Sequence, residues 1–217
     1  MVECARVEGM LQNIRGAGGG RVAGTEPSRE TGTAGRRGMN SKCRYRTPDG
    51  FDDLWMCSDG EVLTGLWFDG PHGREEHCPG CGERDLPAFR ETRRWLDTYF
   101  SGYQPDFVPP YRIDGLTPFR RAVTDAMLAI PFGETATYGG IAAAIARRRG
   151  IPRMSAQAVG GAVGWNPLCI IVPCHRVVGA ARALTGYGGG IRNKIALLRL
   201  EGHDISLFTI PSGGRVL

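Results

Sequence analysis

No stretch of 18 apolar residues occurs in the 217-residue chain, so no segment is long and apolar enough to cross a bilayer as a helix, and a membrane is not an expected partner. No basic segment runs into an apolar one near the N-terminus, and a secretory leader is therefore not expected. Collagen-like periodicity, sustained heptads and internal repeats are missing as well. Seven cysteines are present, an odd number, and they are scattered. At least one must stay unpaired, which predicts a reduced, cytoplasmic protein rather than a disulfide scaffold. What is present, 41% hydrophobic and 23% charged residues, suffices for one large or two small domains with true cores.

The net charge of +5 is unevenly spread. Residues 1–40 carry +2, residues 41–114 carry −5, and residues 115–217 carry +8. A polyanion would meet the C-terminal half, although a solvated basic face has the same arithmetic.

Residues 1–40 hold nine glycines and few large apolar side chains. They read as a disordered tail, or as sequence preceding a true start at Met39. Residues 43–70 read as β structure. Asp53–Cys57 and Val62–Phe68 form a hairpin around the turn signal Ser58-Asp59-Gly60. Residues 69–84 read as loop. Leu86–Phe100 reads as an amphipathic helix, and the proline-bearing stretch 102–116 as an extended linker. Beyond it, Thr117-Pro118 caps a helix reaching Ile130, Tyr138–Arg149 forms a second, Ser155 caps a third reaching about Asn166-Pro167, and Asn193–Leu200 forms a last one. The third is crowded with small residues, Ala156, Ala158, Gly160, Gly161, Ala162 and Gly164. They permit close approach to another helix, or to a groove if the pair is a helix-turn-helix. The boundaries follow: a tail at 1–40, an N-terminal domain with linker at 41–114, a C-terminal domain at 115–205 and a C-terminal tail at 206–217.

The chemistry concentrates at Ile170-Ile171-Val172-Pro173-Cys174-His175-Arg176-Val177-Val178, read as a buried apolar strand that delivers Cys174 next to His175. A buried cysteine is commonly inert. It becomes a nucleophile where a neighbour holds its thiolate. Consecutive side chains on a strand point to opposite faces, so contact between the two demands a turn or a bridging water.

Residues 117–202 closely resemble the C-terminal domain of the methylated-DNA–protein-cysteine methyltransferases, the O6-alkylguanine-DNA alkyltransferases. Pro173-Cys174-His175-Arg176-Val177 matches that family's active-site signature. Gly133-Glu134-Thr135-Ala136-Thr137-Tyr138, Ala158-Val159-Gly160-Gly161-Ala162, Asn166-Pro167, Leu184–Gly190 and Lys194–Gly202 fall in the family's order and spacing. The hairpin, helix and linker of 43–116 look like its N-terminal domain. The resemblance implies a ribonuclease-H-like α/β N-terminal domain packed on a mostly α, winged-helix-like C-terminal domain.

It also implies the reaction. Cys174 takes a methyl or alkyl group from O6-alkylguanine, with O4-methylthymine as a further substrate, in one stoichiometric turnover without a cofactor. His175, through a water, and Glu201 hold the thiolate, in the manner of a triad. Asn166 braces the turn before the active-site segment. Tyr138 gives a proton to the base, and Lys194 balances the developing charge. The main chain at Cys174 and Val177 accepts from the guanine amino group. Tyr187 walls the pocket, the Gly188 amide faces O6, and Val163 lines the apolar side. The nucleotide must be extruded from the duplex to be reached. The family places its recognition helix in the minor groove, which implies that the small residues of 155–164, Ala158 and Gly161 among them, approach DNA. Arg120, Arg121 and Arg147–Arg149 are phosphate-contact candidates. The implied partner is double-stranded DNA bearing alkylated guanine, met by a monomer.

Two departures stand out. Gln157 occupies the place of an arginine that fills the gap left by the flipped base, which predicts weaker duplex binding. Asp125 stands where many relatives carry tryptophan. His72, His77, Cys78 and Cys81 include a zinc-type Cys-x2-Cys spacing, but they do not match the family's zinc ligands and read as loop residues. No metal is expected. The alternative function is a non-catalytic alkyltransferase-like lesion binder. Such proteins lack the cysteine nucleophile, which argues against it here. A transcriptional regulator needs a further DNA-contacting domain for which a 40-residue tail is too short, and a cysteine hydrolase needs an oxyanion hole that the sequence does not reveal.

Overall fold

The computed structural model describes residues 40–70 and 82–210. The N-terminal tail to residue 39, the cluster His72, His77, Cys78 and Cys81, and residues 211–217 lie outside the described residues.

The hairpin is present as β2 (Leu54–Ser58) and β3 (Leu63–Phe68), antiparallel, with Leu54 opposite Phe68 and Met56 opposite Leu66. Its turn forms because Asp59 Oδ1 accepts from the amides of Glu61 and Val62, both at 3.0 Å. Two further strands extend the sheet beyond β2: β1 (Ser41–Tyr45) and the short β4 (Gly82–Glu83), the latter inside the stretch 69–84 that reads as loop. The order is β3-β2-β1-β4, with β1 antiparallel to β2 and parallel to β4. Helix α1 (Pro87–Phe100) starts one residue later than expected, with proline at its first position, and buries Phe89, Trp95, Leu96, Tyr99 and Phe100.

Strand β3 is an edge strand, and an uncovered edge would expose unpaired amides and carbonyls. Two segments cover it. The linker bonds Leu63, through Leu63 N to Pro110 O at 3.0 Å and Arg112 N to Leu63 O at 2.9 Å. The loop before the active-site segment bonds Leu66, through Leu66 N to Pro167 O and Cys169 N to Leu66 O, both at 2.8 Å. The N-terminal sheet thus holds the backbone that leads to Cys174.

In the C-terminal half, Thr117 caps α2 (Pro118–Leu128), Thr137 caps α3 (Tyr138–Arg148) and Ser155 caps α4 (Ala156–Gly164), each accepting a backbone N–H at the helix start. Helix α5 (Ile191–Leu200) begins two residues earlier than read from the sequence, after Gly190 at φ 83°. A two-stranded parallel ladder joins β5 (Ala136–Thr137) to β6 (Val177–Val178). One buried cluster takes side chains from both halves, from Tyr45, Leu54 and Phe89 to Val123, Ile141, Val159 and Leu197. Phe208 is buried against a second cluster with Leu184 and Leu198.

The expected strand at 170–172 is absent. Ile170, Ile171 and Val172 are buried, but they make a tight turn, with Val172 N bonded to Leu168 O at 3.0 Å and Ile170 at φ 69°. A run of apolar residues reports burial and not conformation. Here Pro167 and Pro173 bracket the run and deny it a continuing ladder.

Candidate active site

Asn166 is buried and organises the turn. Its Oδ1 accepts from Leu168 N at 3.0 Å, which fixes which end of the amide is which. Its Nδ2 donates to Leu168 O at 3.3 Å, to Val172 O at 2.8 Å and to Cys174 Sγ at 3.0 Å. The bracing expected of Asn166 is thus accompanied by a direct hydrogen bond to the sulfur. Cys174, His175 and Arg176 then form one 3-10 turn. The turn answers the geometric objection to a Cys-His pair on a strand.

Cys174 is 5% exposed, and its thiol is shifted down to about 7. The Cys169 thiol donating to the sulfur is the largest cause. Burial opposes it, and Asn166, the Lys194 ammonium and Tyr187 add to it. The result is a sulfur that holds a thiolate near neutrality inside the protein.

His175 is fully buried. Its Nε2 lies 2.8 Å from Glu201 Oε1, while its Nδ1 has no hydrogen-bond partner among the described residues. Burial pushes the imidazole pKa down against the pull of Glu201, so the neutral ring is favoured. Burial would raise the Glu201 carboxyl, but His175 and Arg176 outweigh it and hold it well below the usual carboxylate range. An ionised Glu201 can only accept, so the proton of the neutral ring sits on Nε2 and Nδ1 carries the lone pair. Arg176 makes a two-pronged contact with Glu201, Nε to Oε2 and Nη2 to Oε1 at 2.9 Å each, and its Nη1 donates to Ile130 O at 2.7 Å. Gly133 N donates to Oε2 at 3.2 Å from a residue at φ 74°, where a side chain would be strained.

A cavity opens at Cys174. Tyr138, Val163, Tyr187 and Gly188 line it, and so do Cys57 and Trp67 from the N-terminal sheet. Tyr187 is buried beside both thiols, and burial followed by the charges of Cys169 and Cys174 drives its hydroxyl pKa well above its usual value. Tyr138 is half-buried, and burial raises its hydroxyl as well. Lys194 is not a solvated helix lysine: it is fully buried, and its Nζ donates to Val177 O at 2.6 Å and to Thr185 O at 3.2 Å. Burial lowers it to about 8. The Val177 carbonyl therefore already has one donor and keeps its second lone pair.

On α4, Val159, Ala162 and Val163 turn inward, while Ala156, Gln157, Ala158, Gly161 and Gly164 are exposed. The helix ends at Gly164, two residues sooner than read. Its bare face does not serve close packing against a neighbouring helix: added Cβ atoms at Gly161 and Gly164 would meet nothing within 4 Å. Arg120 lies over the Trp165 ring at 4.2 Å, near the end of that helix. Asp125 is half-buried on α2, its pKa raised by burial and countered by Arg121 and Arg148.

Three residues of this arrangement carry little sign of their place in the sequence alone. Arg176 lies inside the motif, where nothing local ties it to Glu201. Cys169 was hidden in an apolar run. Tyr99 sits in a helix more than 70 residues before Cys174, where only its apolar periodicity was legible; its hydroxyl donates to Glu201 Oε1 at 2.6 Å. Among the described residues no group of three or more His, Cys, Asp or Glu is placed to hold a metal ion.

The arrangement has counterparts in known proteins. A family model described as the DNA binding domain of 6-O-methylguanine DNA methyltransferase matches residues 118–203. The chain is 42% identical over 172 residues to the methylated-DNA–protein-cysteine methyltransferase of Mycobacterium tuberculosis, covering 76% of this chain and 98% of that one. It is 38% identical over 161 residues to that of Haemophilus influenzae, covering 72% and 83%. Among solved structures, the M. tuberculosis O6-methylguanine methyltransferase superposes with a TM-score of 0.63 at 39% identity, over 79% of this chain and all of that one. The M. tuberculosis OGT in complex with DNA gives 0.62 at 39% identity, over 77% and 94%. With agreement in sequence and fold over three quarters of its length, the chain belongs to the methylated-DNA–protein-cysteine methyltransferase family.

Proposed function

We propose that the protein repairs DNA by transferring the alkyl group of O6-alkylguanine to Cys174, once per molecule. The observation that carries this reading is the Cys174 sulfur itself, buried at a cavity and held near its thiolate form by Cys169, Asn166 and Lys194. The thiolate attacks the alkyl carbon in line with the C–O6 bond. A C–S bond forms as the C–O6 bond breaks, and the electron pair goes to the guanine ring. The Tyr138 hydroxyl gives a proton to a ring nitrogen, and the Lys194 ammonium offsets the charge. The proton leaving Cys174 passes through a water to His175 Nδ1, the nitrogen that Glu201 leaves unprotonated. The product is a thioether, which does not revert, so no cofactor is consumed and none regenerates the site.

The partner is duplex DNA with the alkylated nucleotide extruded into the cavity. The exposed small residues of α4 support approach to a groove, with Gln157, Ala158 and Gly161 at the surface, Val163, Val177, Tyr187 and Gly188 around the base, and Arg120 toward the backbone. The strand order, three antiparallel strands with a fourth parallel beside the first, supports a ribonuclease-H-like N-terminal domain at 41–114. The capped helices α2 to α4 with the β5-β6 ladder support a winged-helix-like domain at 115–205. A monomer acting in the cytoplasm completes the reading.

The test is the intact mass after incubation with a duplex containing one O6-methylguanine, with Cys174→Ser as control. The expected result is a gain of one methyl on the unmodified protein alone, mapped to Cys174. Lesion-selective binding without a mass gain would instead favour a non-catalytic binder.

A further inference from the structure

We propose that Tyr99, carried on α1 of the N-terminal half, is a positioning residue for alkyl transfer: its hydroxyl fixes the Glu201 carboxylate and the proton on His175 Nε2, so that Nδ1 stays free as the base. The proposal rests on the relay described above.

Tyr99 is 1% exposed. Its ring stacks on Trp95 at 5.5 Å and meets Phe100, Phe132 and His175 edge-on. Phenylalanine would fill this aromatic nest equally well. A buried hydroxyl is costly unless bonded, and this one reaches two groups, Glu201 Oε1 at 2.6 Å and His175 Nε2 at 3.3 Å. It carries one hydrogen. Glu201 is ionised and can only accept, and its oxygen is the nearer, so the hydrogen goes to Oε1. The Tyr99 oxygen then presents lone pairs to Nε2, which faces two acceptors and must hold a proton. Arg176 grips both carboxylate oxygens, and Gly133 takes Oε2; Tyr99 is the group that binds carboxylate and imidazole together. It brings a side chain from before residue 115 to both members of the pair.

Without the hydroxyl, Glu201 keeps more of its charge for His175. The ring then takes up a second proton more readily and can no longer accept one from Cys174. In Tyr99→Phe the expected loss in alkyl-transfer rate at pH 7 is about tenfold, the scale of one hydrogen bond to a charged group, with recovery as pH rises. Nitrogen-15 NMR of the histidines reads the proton directly, and only four histidines need assignment. The unmodified protein should show His175 protonated on Nε2 alone near neutrality, and Tyr99→Phe should show a mixed or doubly protonated ring. Trp95→Phe, which trims the stack without touching the carboxylate, should lower the melting temperature and leave tautomer and rate unchanged. If Tyr99→Phe alters neither, or only one, of tautomer and pH-rate profile, or if Trp95→Phe reproduces its effect, the proposal is overturned. Failure of the unmodified protein to take up methyl would count against the repair reading instead, and the NMR arm would then decide on Tyr99 by itself.

Discussion

At the scale of single residues, the site's work is to keep a buried sulfur ionised. Burial alone pushes a thiol up, and here Cys169, Asn166, Lys194 and Tyr187 together reverse the sign. Cys169 leads them, so Cys169→Ala should raise the Cys174 pKa from about 7. A rise of one unit would cut the thiolate fraction at pH 7 about fivefold. Alkyl-transfer rates measured from pH 6 to 9 should show the loss at pH 7 and its disappearance at pH 9. In the unmodified protein the same curve should rise through about 7 and bend down past about 8, where Lys194 loses its proton. A flat profile across that range would contradict this account of the thiol.

At the scale of elements, two close approaches matter. Gly189 precedes α5, and a Cβ there would lie 2.6 Å from the Phe68 ring of β3 and 2.8 Å from the Tyr187 ring. Neither ring is free to retreat, since both are buried. Gly189→Ala should therefore cost about 1–3 kcal/mol, read as a lower urea midpoint, and it should also slow alkyl transfer because Tyr187 walls the cavity. The other is the approach to DNA proposed for α4. Its exposed face is bare apart from Gln157. Gln157→Arg adds one phosphate-range charge, and it should tighten duplex binding and steepen the slope of log affinity against log salt by about 1. Fluorescence anisotropy at several salt concentrations measures both quantities, and an unchanged slope would mean that this position does not meet the DNA backbone.

At the scale of the whole molecule, the two halves share one site. The edge strand β3 holds the backbone at Pro167 and Cys169, and α1 supplies Tyr99 to Glu201. Glu201 is the buried charge on which Tyr99, Gly133, His175 and Arg176 converge. Its carboxyl pKa is held below its ordinary 4.5, so its stabilising contribution is present above about 4.5 and lost as pH falls toward the folded-state value. Unfolding free energy should drop on acidification below pH 5. Glu201→Gln should remove that part of the pH dependence and cost about 3–5 kcal/mol at pH 7, because Arg176 is left buried without its counter-charge. Urea melts at pH 7, 5 and 4 on both proteins check this.

Much was legible beforehand because its causes are local. Thr117-Pro118, Ser155 and the Ser58-Asp59-Gly60 turn act through their own backbones, and the structure has a cap or a turn at each. The family resemblance implied one group of Cys174, His175, Asn166 and Glu201, and in the structure Asn166 bonds the Cys174 sulfur and His175 bonds Glu201. Other features depended on groups distant in sequence. The run Ile170–Val172 became a turn because Asn166 and two prolines overrode its apolar character. Lys194 became a buried donor to Val177 and Thr185, which only packing of α5 could arrange. Cys169 and Tyr99 look like ordinary core residues until folding sets one against a sulfur and the other against a carboxylate. The caps, the hairpin turn and the run Pro173–Val177 are readable without the fold, because each lies within a few consecutive residues. The tertiary structure alone decided the ionisation of Cys174 and the proton on His175, because both follow from burial and from charges brought together from both halves of the chain.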